Sequence, residues 1–93
     1  MTRDKIKNIV YDYASEQFYN IKEFTDKVMM HSNNGEDLLL YNEIGFDSLD
    51  TIELIMKIES DEYLNCKYLP NELFDNEITL GKIIDYIWKQ NQN

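Results

Sequence analysis

In 93 residues the chain has one cysteine, one histidine, one proline and three glycines. A lone Cys66 cannot close an internal disulfide, which excludes covalent stapling and suits a reducing compartment. One histidine and one cysteine cannot build a zinc centre. His31 lies in the polar stretch "HSNNGED", where nothing marks it as a catalytic base. Phosphate-cradling loops and dinucleotide fingerprints are missing. "GFDSL" is not the strained G-x-S-x-G elbow of serine hydrolases, and "NNGED" lacks the downstream acids of a calcium loop. No apolar run is long enough to cross a bilayer, and the opening "MTRDKIKNIV" lacks the features of a secretory signal. Together these absences argue against an enzyme and leave a soluble, cytoplasmic protein as the simplest expectation.

Positive charge is scarce too. Nine basic residues face eighteen acidic ones, for a net charge of −9. Residues 1–29 are balanced, whereas residues 36–77 hold twelve acids against only Lys57 and Lys67. A basic patch for nucleic acid or an anionic membrane is absent, so neither is an expected partner. The middle of the chain suits partners with basic surfaces, attracted at long range and weakened by salt.

What is present is apolar residues at helical spacing. Hydrophobic residues make up 43% of the chain, enough for one small core, so a single domain over residues 1–93 and a monomer are expected. Ile6, Ile9, Val10, Tyr13 and Ala14 recur at steps of three and four behind Thr2, a suitable N-cap. Ile21, Phe24 and Val28 repeat that spacing, and the pattern leaves open whether residues 1–30 form one helix or two. "LLLYNEIG" is apolar and irregular. A second firm helix runs from about Ser48 to about Glu62. Pro70 opens a short helical turn in "PNELFDN". A last helix, "TLGKIIDYIWKQN", starts at Thr79 and buries Leu80, Ile83, Ile84 and Ile87, with Gly81 a local blemish. Strand alternation is absent. The expected fold is all-α: a small four-helix bundle of three main helices and one short one.

The helix after Ser48 has more apolar surface than one core-facing stripe needs. Thr51, Leu54, Ile55 and Ile58 form that stripe, while Asp50, Glu53, Lys57 and Asp61 lie on roughly the opposite side. Leu49, Ile52 and Met56 make a second apolar line. It either packs beneath the preceding loop or stays exposed beside the carboxylates as a docking surface with an acidic rim. Ser48 has two readings as well. "DSLD" is a fair capping signature, with acids at the positive end of a helix. Alternatively, Ser48 is a site of covalent modification.

"LYNEIGFDSLDTIELIMKIE", residues 40–59, resembles the core of an acyl carrier protein. That family has an aspartate–serine–leucine motif at the start of its second helix, an aliphatic–glycine pair before it (here Ile44–Gly45) and an acidic amphipathic helix after it. The similarity extends over residues 69–88, through Pro70 and "EITLGKIIDYI", and is architectural over residues 1–39. The resemblance implies that Ser48 carries 4′-phosphopantetheine, transferred from coenzyme A by a phosphopantetheinyl transferase. Cargo would ride as a thioester on the arm. Asp47 would help the transferase recognise the site. Leu49, Asp50, Ile52, Glu53 and Met56 fall where family members meet partners, here acyl- or aminoacyl-loading and condensing enzymes with basic docking surfaces.

Three features depart from the family's usual pattern. Phe46 stands where a small residue is common, "ESDEYLNCKYLP" is a long connection, and the N-terminal region is rich in aromatics (Tyr11, Tyr13, Phe18, Tyr19, Phe24). They point away from housekeeping fatty-acid work and toward a specialised cargo: an amino acid, a polyketide unit or a special acyl chain. The competing reading is an acidic helical interaction module without covalent cofactor. Cys66 and Trp88 are expected to be packing residues.

Overall fold

The computed structural model describes residues 1–92. Helix α1 (Arg3–Ser15) begins where Thr2 is extended and its hydroxyl accepts the Lys5 N–H at 3.2 Å. Ile6, Val10, Tyr11 and Ala14 are buried, with Ile9 and Tyr13 packed at the edge of the core. The helix stops well before Phe24. Asn20, extended at φ −155°, caps a short helix α2 (Ile21–Phe24), its side-chain oxygen taking the Glu23 N–H at 2.9 Å. A wider π turn, Thr25–Met29, continues α2. Residues 1–30 therefore contain two helices, one of the alternatives that the periodicity left open.

Phe24 and Val28 enter the core as their spacing predicts, but Ile21 does not: it is 64% exposed. It opens α2 at its first turn and lines an open groove with Tyr11 of α1, Phe24 and Met29. The irregular "LLLYNEIG" becomes a π turn at Leu40–Ile44. One antiparallel bridge, Leu39 with Thr79, and a Leu40 N–H to Ile78 carbonyl bond at 2.9 Å tie it to the last helix.

Helix α3 (Ser48–Ser60) follows, ending about two residues earlier than the spacing suggests because Asp61 turns to an extended backbone. The long connection is well anchored. Leu64, Cys66 and Leu69 are buried, and the Leu69 N–H bonds the Glu59 carboxylate at 2.8 Å. Burial also pushes the Cys66 thiol up from its ordinary pKa, as expected of a packing residue. Pro70 precedes a 3₁₀ turn, Asn71–Leu73. Helix α4 (Leu80–Gln90) is capped by the Thr79 hydroxyl, which accepts from the Lys82 N–H at 3.1 Å. Leu80, Ile83, Ile84 and Ile87 are buried to the last atom, and Trp88 packs at the margin.

Gly81 has a structural reason. Its N–H bonds the Glu36 carbonyl at 3.0 Å, and a Cβ there would sit 3.0 Å from that same oxygen. Glu36 is only 4% exposed and forms the centre of a charged clamp. Arg3 meets it through two nitrogens, at 2.6 and 3.2 Å, and reaches Asp85 at 2.8 Å, while Lys7 lies 3.1 Å from the second Glu36 oxygen. The clamp joins α1, the loop after α2 and α4. The result is the expected all-α bundle, with one continuous apolar core.

Candidate functional site: the head of helix α3

The segment that leads into α3 is fixed residue by residue. Ile44 is buried, and Gly45 takes the left-handed conformation (φ 95°, ψ 21°) that ends the preceding π turn. A side chain is strained in that conformation, which accounts for glycine here. Phe46 is 5% exposed and packs on Phe18, whose ring lies edge-on to Phe24, which in turn meets Tyr11. Phe46 and three of the N-terminal aromatics, which read as separate departures in the sequence, thus form one packing unit, whereas Tyr19 is exposed and Tyr13 turns to Asp61. That unit seats the loop directly before the serine.

The capping question has a clear answer. Asp47, not Ser48, is the N-cap of α3. Its carboxylate accepts the Asp50 N–H at 2.8 Å, and the Asp50 carboxylate accepts the Asp47 N–H at 3.1 Å, a reciprocal capping box. Thr51 adds a third tie, donating its hydroxyl to the Asp47 carbonyl at 2.9 Å. Ser48 therefore occupies the first helical position, exposed to solvent. Among the described residues its hydroxyl enters no hydrogen bond. An aspartate does the capping and leaves the serine oxygen uncommitted at the positive end of the helix dipole, where an anionic group is favoured.

Along α3, Thr51, Leu54 and Ile58 face the core, with Ile55 beside them. Leu49, Ile52 and Met56 are 63, 52 and 62% exposed. The second apolar line is thus a surface line, not one covered by the preceding loop. Glu53 is exposed beside it, without an ion-pair partner among the described residues. The charged side, roughly opposite the core stripe, is partly engaged with α1: Lys57 pairs with Glu16 at 2.5 Å, and the Tyr13 hydroxyl donates to Asp61. That bond holds Asp61 below the usual carboxylate range and helps push Tyr13 up to about 12. Sequence periodicity misses these contacts because they depend on which neighbouring helix lies against the polar side. Among the described residues no cluster of three or more potential metal ligands occurs. No helix among them is long and apolar enough to cross a membrane.

Such a fold and site define a small acidic helical bundle that presents an unengaged serine at the head of a half-apolar, acid-edged helix. The chain matches no protein-family model and no solved structure. It is, however, 34% identical to the acyl carrier protein of Chlorobium phaeobacteroides over 90 residues, covering 97% of this chain and all of that protein. It is 33% identical to the acyl carrier protein of Clostridium perfringens, covering 90% of each chain. Against the mitochondrial acyl carrier protein of Saccharomyces cerevisiae it is 28% identical, over 86% of this chain and 64% of that protein. The chain belongs to the acyl carrier protein family. Its role is accordingly that of a carrier protein.

The geometry at Ser48 fits the prosthetic group that this family implies. The Ser48 oxygen is exposed and, among the described residues, free of competing bonds. The backbone on either side is held by the Asp47–Asp50 box and the Gly45 turn, and the helix end favours the anion of a phosphodiester.

Proposed function

We propose that Ser48 carries 4′-phosphopantetheine and that the protein works as a free-standing carrier in the cytoplasm. The observation that supports this best is the division of labour at the head of α3: Asp47 caps, and Ser48 is left exposed and unbonded. In the loading step the Ser48 oxygen would form a new bond to the phosphorus that bears the pantetheine, the pyrophosphate linkage of coenzyme A would break to release adenosine 3′,5′-bisphosphate, and the serine proton would pass to a base of the transferase. The arm, once attached, supplies a terminal thiol that holds cargo as a thioester. The chain's own contribution is to present the oxygen, hold the flanking backbone and offer a recognition surface. Leu49, Ile52 and Met56 form the apolar centre of that surface, and Asp47, Asp50 and Glu53 its acidic edge. Partners are a phosphopantetheinyl transferase and then loading and condensing enzymes with basic rims, selected by complementary charge.

The cargo we propose is a specialised one: an aminoacyl, polyketide or special acyl unit. The support for it is the set of departures from the family's usual pattern, Phe46 with its aromatic partners and the long anchored connection after α3. The test of the carrier reading is intact mass after incubation with coenzyme A and a broad-specificity phosphopantetheinyl transferase, with wild type beside Ser48→Ala. Wild type gains one phosphopantetheine and the variant none. No gain on folded wild type would leave an acidic interaction module whose apolar line binds partners without a covalent arm.

A further inference from the structure

We infer that Lys27 is a positioning residue for the phosphodiester that joins the arm to Ser48. The inference rests on the proposed attachment at Ser48 and adds a second element of the fold to that site. Lys27 belongs to the π turn Thr25–Met29, far from α3 in sequence, yet its ammonium lies 3.3 Å from where a Cβ would stand on Gly45. Gly45 is three residues before Ser48, so the backbone between them spans at most about 11 Å. Glycine leaves room at that point for the lysine head to lie along the loop.

A cation here is out of keeping with its surroundings, since residues 36–77 hold most of the acids of the chain. The carboxylates of the segment that flanks Gly45 are nonetheless occupied with backbone. Glu43 accepts the Leu39 N–H at 2.8 Å, and Asp47 and Asp50 serve each other's amides in the capping box. Among the described residues no carboxylate lies within ion-pairing distance of Lys27. By contrast Lys22, on the same stretch, pairs with Asp26 at 2.6 Å, and Lys57 with Glu16 at 2.5 Å. An exposed lysine that has not collapsed onto any of these acids stays available for an anion that arrives later. The phosphodiester bonded to the Ser48 oxygen is such an anion, and it combines with the helix end to favour one placement of the arm's root.

The test compares the protein before and after phosphopantetheinylation, with modification confirmed by intact mass. Acetylation of individual lysines by a water-soluble acylating reagent is followed by peptide mapping, with exposed Lys89 as internal control. Lys27 should react about two- to fivefold more slowly in the modified protein, the range of an exposed ion pair, while Lys89 is unchanged. The ³¹P resonance of modified Lys27→Gln should shift and sharpen relative to wild type, and Lys27→Arg should restore it. Complete modification with no change in Lys27 reactivity and an identical ³¹P signal in Lys27→Gln would overturn the assignment of Lys27 alone. Absence of any mass gain would instead overturn the attachment itself, and this inference with it.

Discussion

Helices α3 and α4 are built from similar residues and treated differently by the fold. In α4, Leu80, Ile83, Ile84 and Ile87 all disappear into the core. In α3, only Thr51, Leu54 and Ile58 are buried, and Leu49, Ile52 and Met56 stay more than half exposed. A helix can turn only part of its circumference toward one small core. The apolar residues of α4 fit within that arc, and those of α3 exceed it. The excess is not scattered but runs in one line beside Glu53 and the capping carboxylates, which is how a surface meant for a partner differs from one left over. One helix holds the bundle together, and the other also faces outward.

The comparison predicts opposite responses to the same change. Ile84→Ala removes a side chain with no exposed surface and should lower unfolding stability by about 3 kcal/mol. Ile52→Ala, in α3, should alter it by less than about 0.5 kcal/mol. Urea unfolding of both variants checks this. Equal losses would mean that the outer line of α3 is packed in solution, and the docking surface would then have to be abandoned.

The next effect concerns how α4 is held. Its Gly81 sits against Glu36, whose carboxylate is clamped by Arg3 and Lys7. The hydrogen bonds from Arg3 hold the Glu36 carboxyl below its ordinary value of 4.5, against the opposing effect of burial. A carboxyl depressed in the folded state stabilises it fully above the unfolded value and loses that contribution as pH falls through the folded value. Glu36→Gln should therefore cost about 2 kcal/mol near neutral pH, typical of losing hydrogen bonds to a charged group. The gap to wild type should close as pH drops below 4.5. A gap that stayed constant across that range would show that the clamp acts by shape rather than charge. Among the described residues the outer face of α3 has no comparable buried carboxylate.

At the head of α3 the contrast narrows to two adjacent residues. Asp47→Ala removes the capping box and should cost about 1 kcal/mol. Ser48→Ala should stay within about 0.5 kcal/mol, because the serine is neither buried nor bonded. Thermal unfolding of the pair distinguishes them. If Ser48→Ala were the more costly, the serine would be a structural cap and its availability for modification would be lost as an argument.

These contrasts also show what the sequence could and could not reveal. The periodicity of Ile6, Val10 and Ala14, of Leu54 and Ile58, and of Ile83, Ile84 and Ile87 locates three helices, since each residue's face follows from 3.6-residue spacing alone. Thr2 and Thr79 mark their starts for the same local reason, and "DSLD" contains the whole capping box. Ser48 and the exposed line could be named but not decided, because exposure depends on which neighbours cover a helix. The two π turns, Thr25–Met29 and Leu40–Ile44, have no such local signature. Ile21 is misplaced by the same cause, since its spacing is right but it lines an open groove against α1 and stays exposed. Gly81 looks like a defect until Glu36, forty-five positions away, is seen against it. Lys27 beside Gly45 is equally invisible, being a meeting of two segments that no periodicity links.

The smallest effect on stability should come with a clear effect on recognition. The sequence suggests reversing Asp50 and Glu53 together to test the acidic edge, but the structure separates them. Asp50 holds the Asp47 N–H, so Asp50→Lys would damage the helix end as well as its charge. Glu53 is exposed with no such duty, which makes Glu53→Lys the cleaner probe. Its unfolding free energy should match wild type within about 0.5 kcal/mol. Its rate of phosphopantetheinylation at low salt should fall by about two- to tenfold, because a rim charge acts mainly on the rate of encounter. Raising the ionic strength should shrink that difference as screening removes the attraction that wild type enjoys. A variant modified at the wild-type rate at every salt concentration would show that the transferase reads the apolar line of α3 and not its acidic edge.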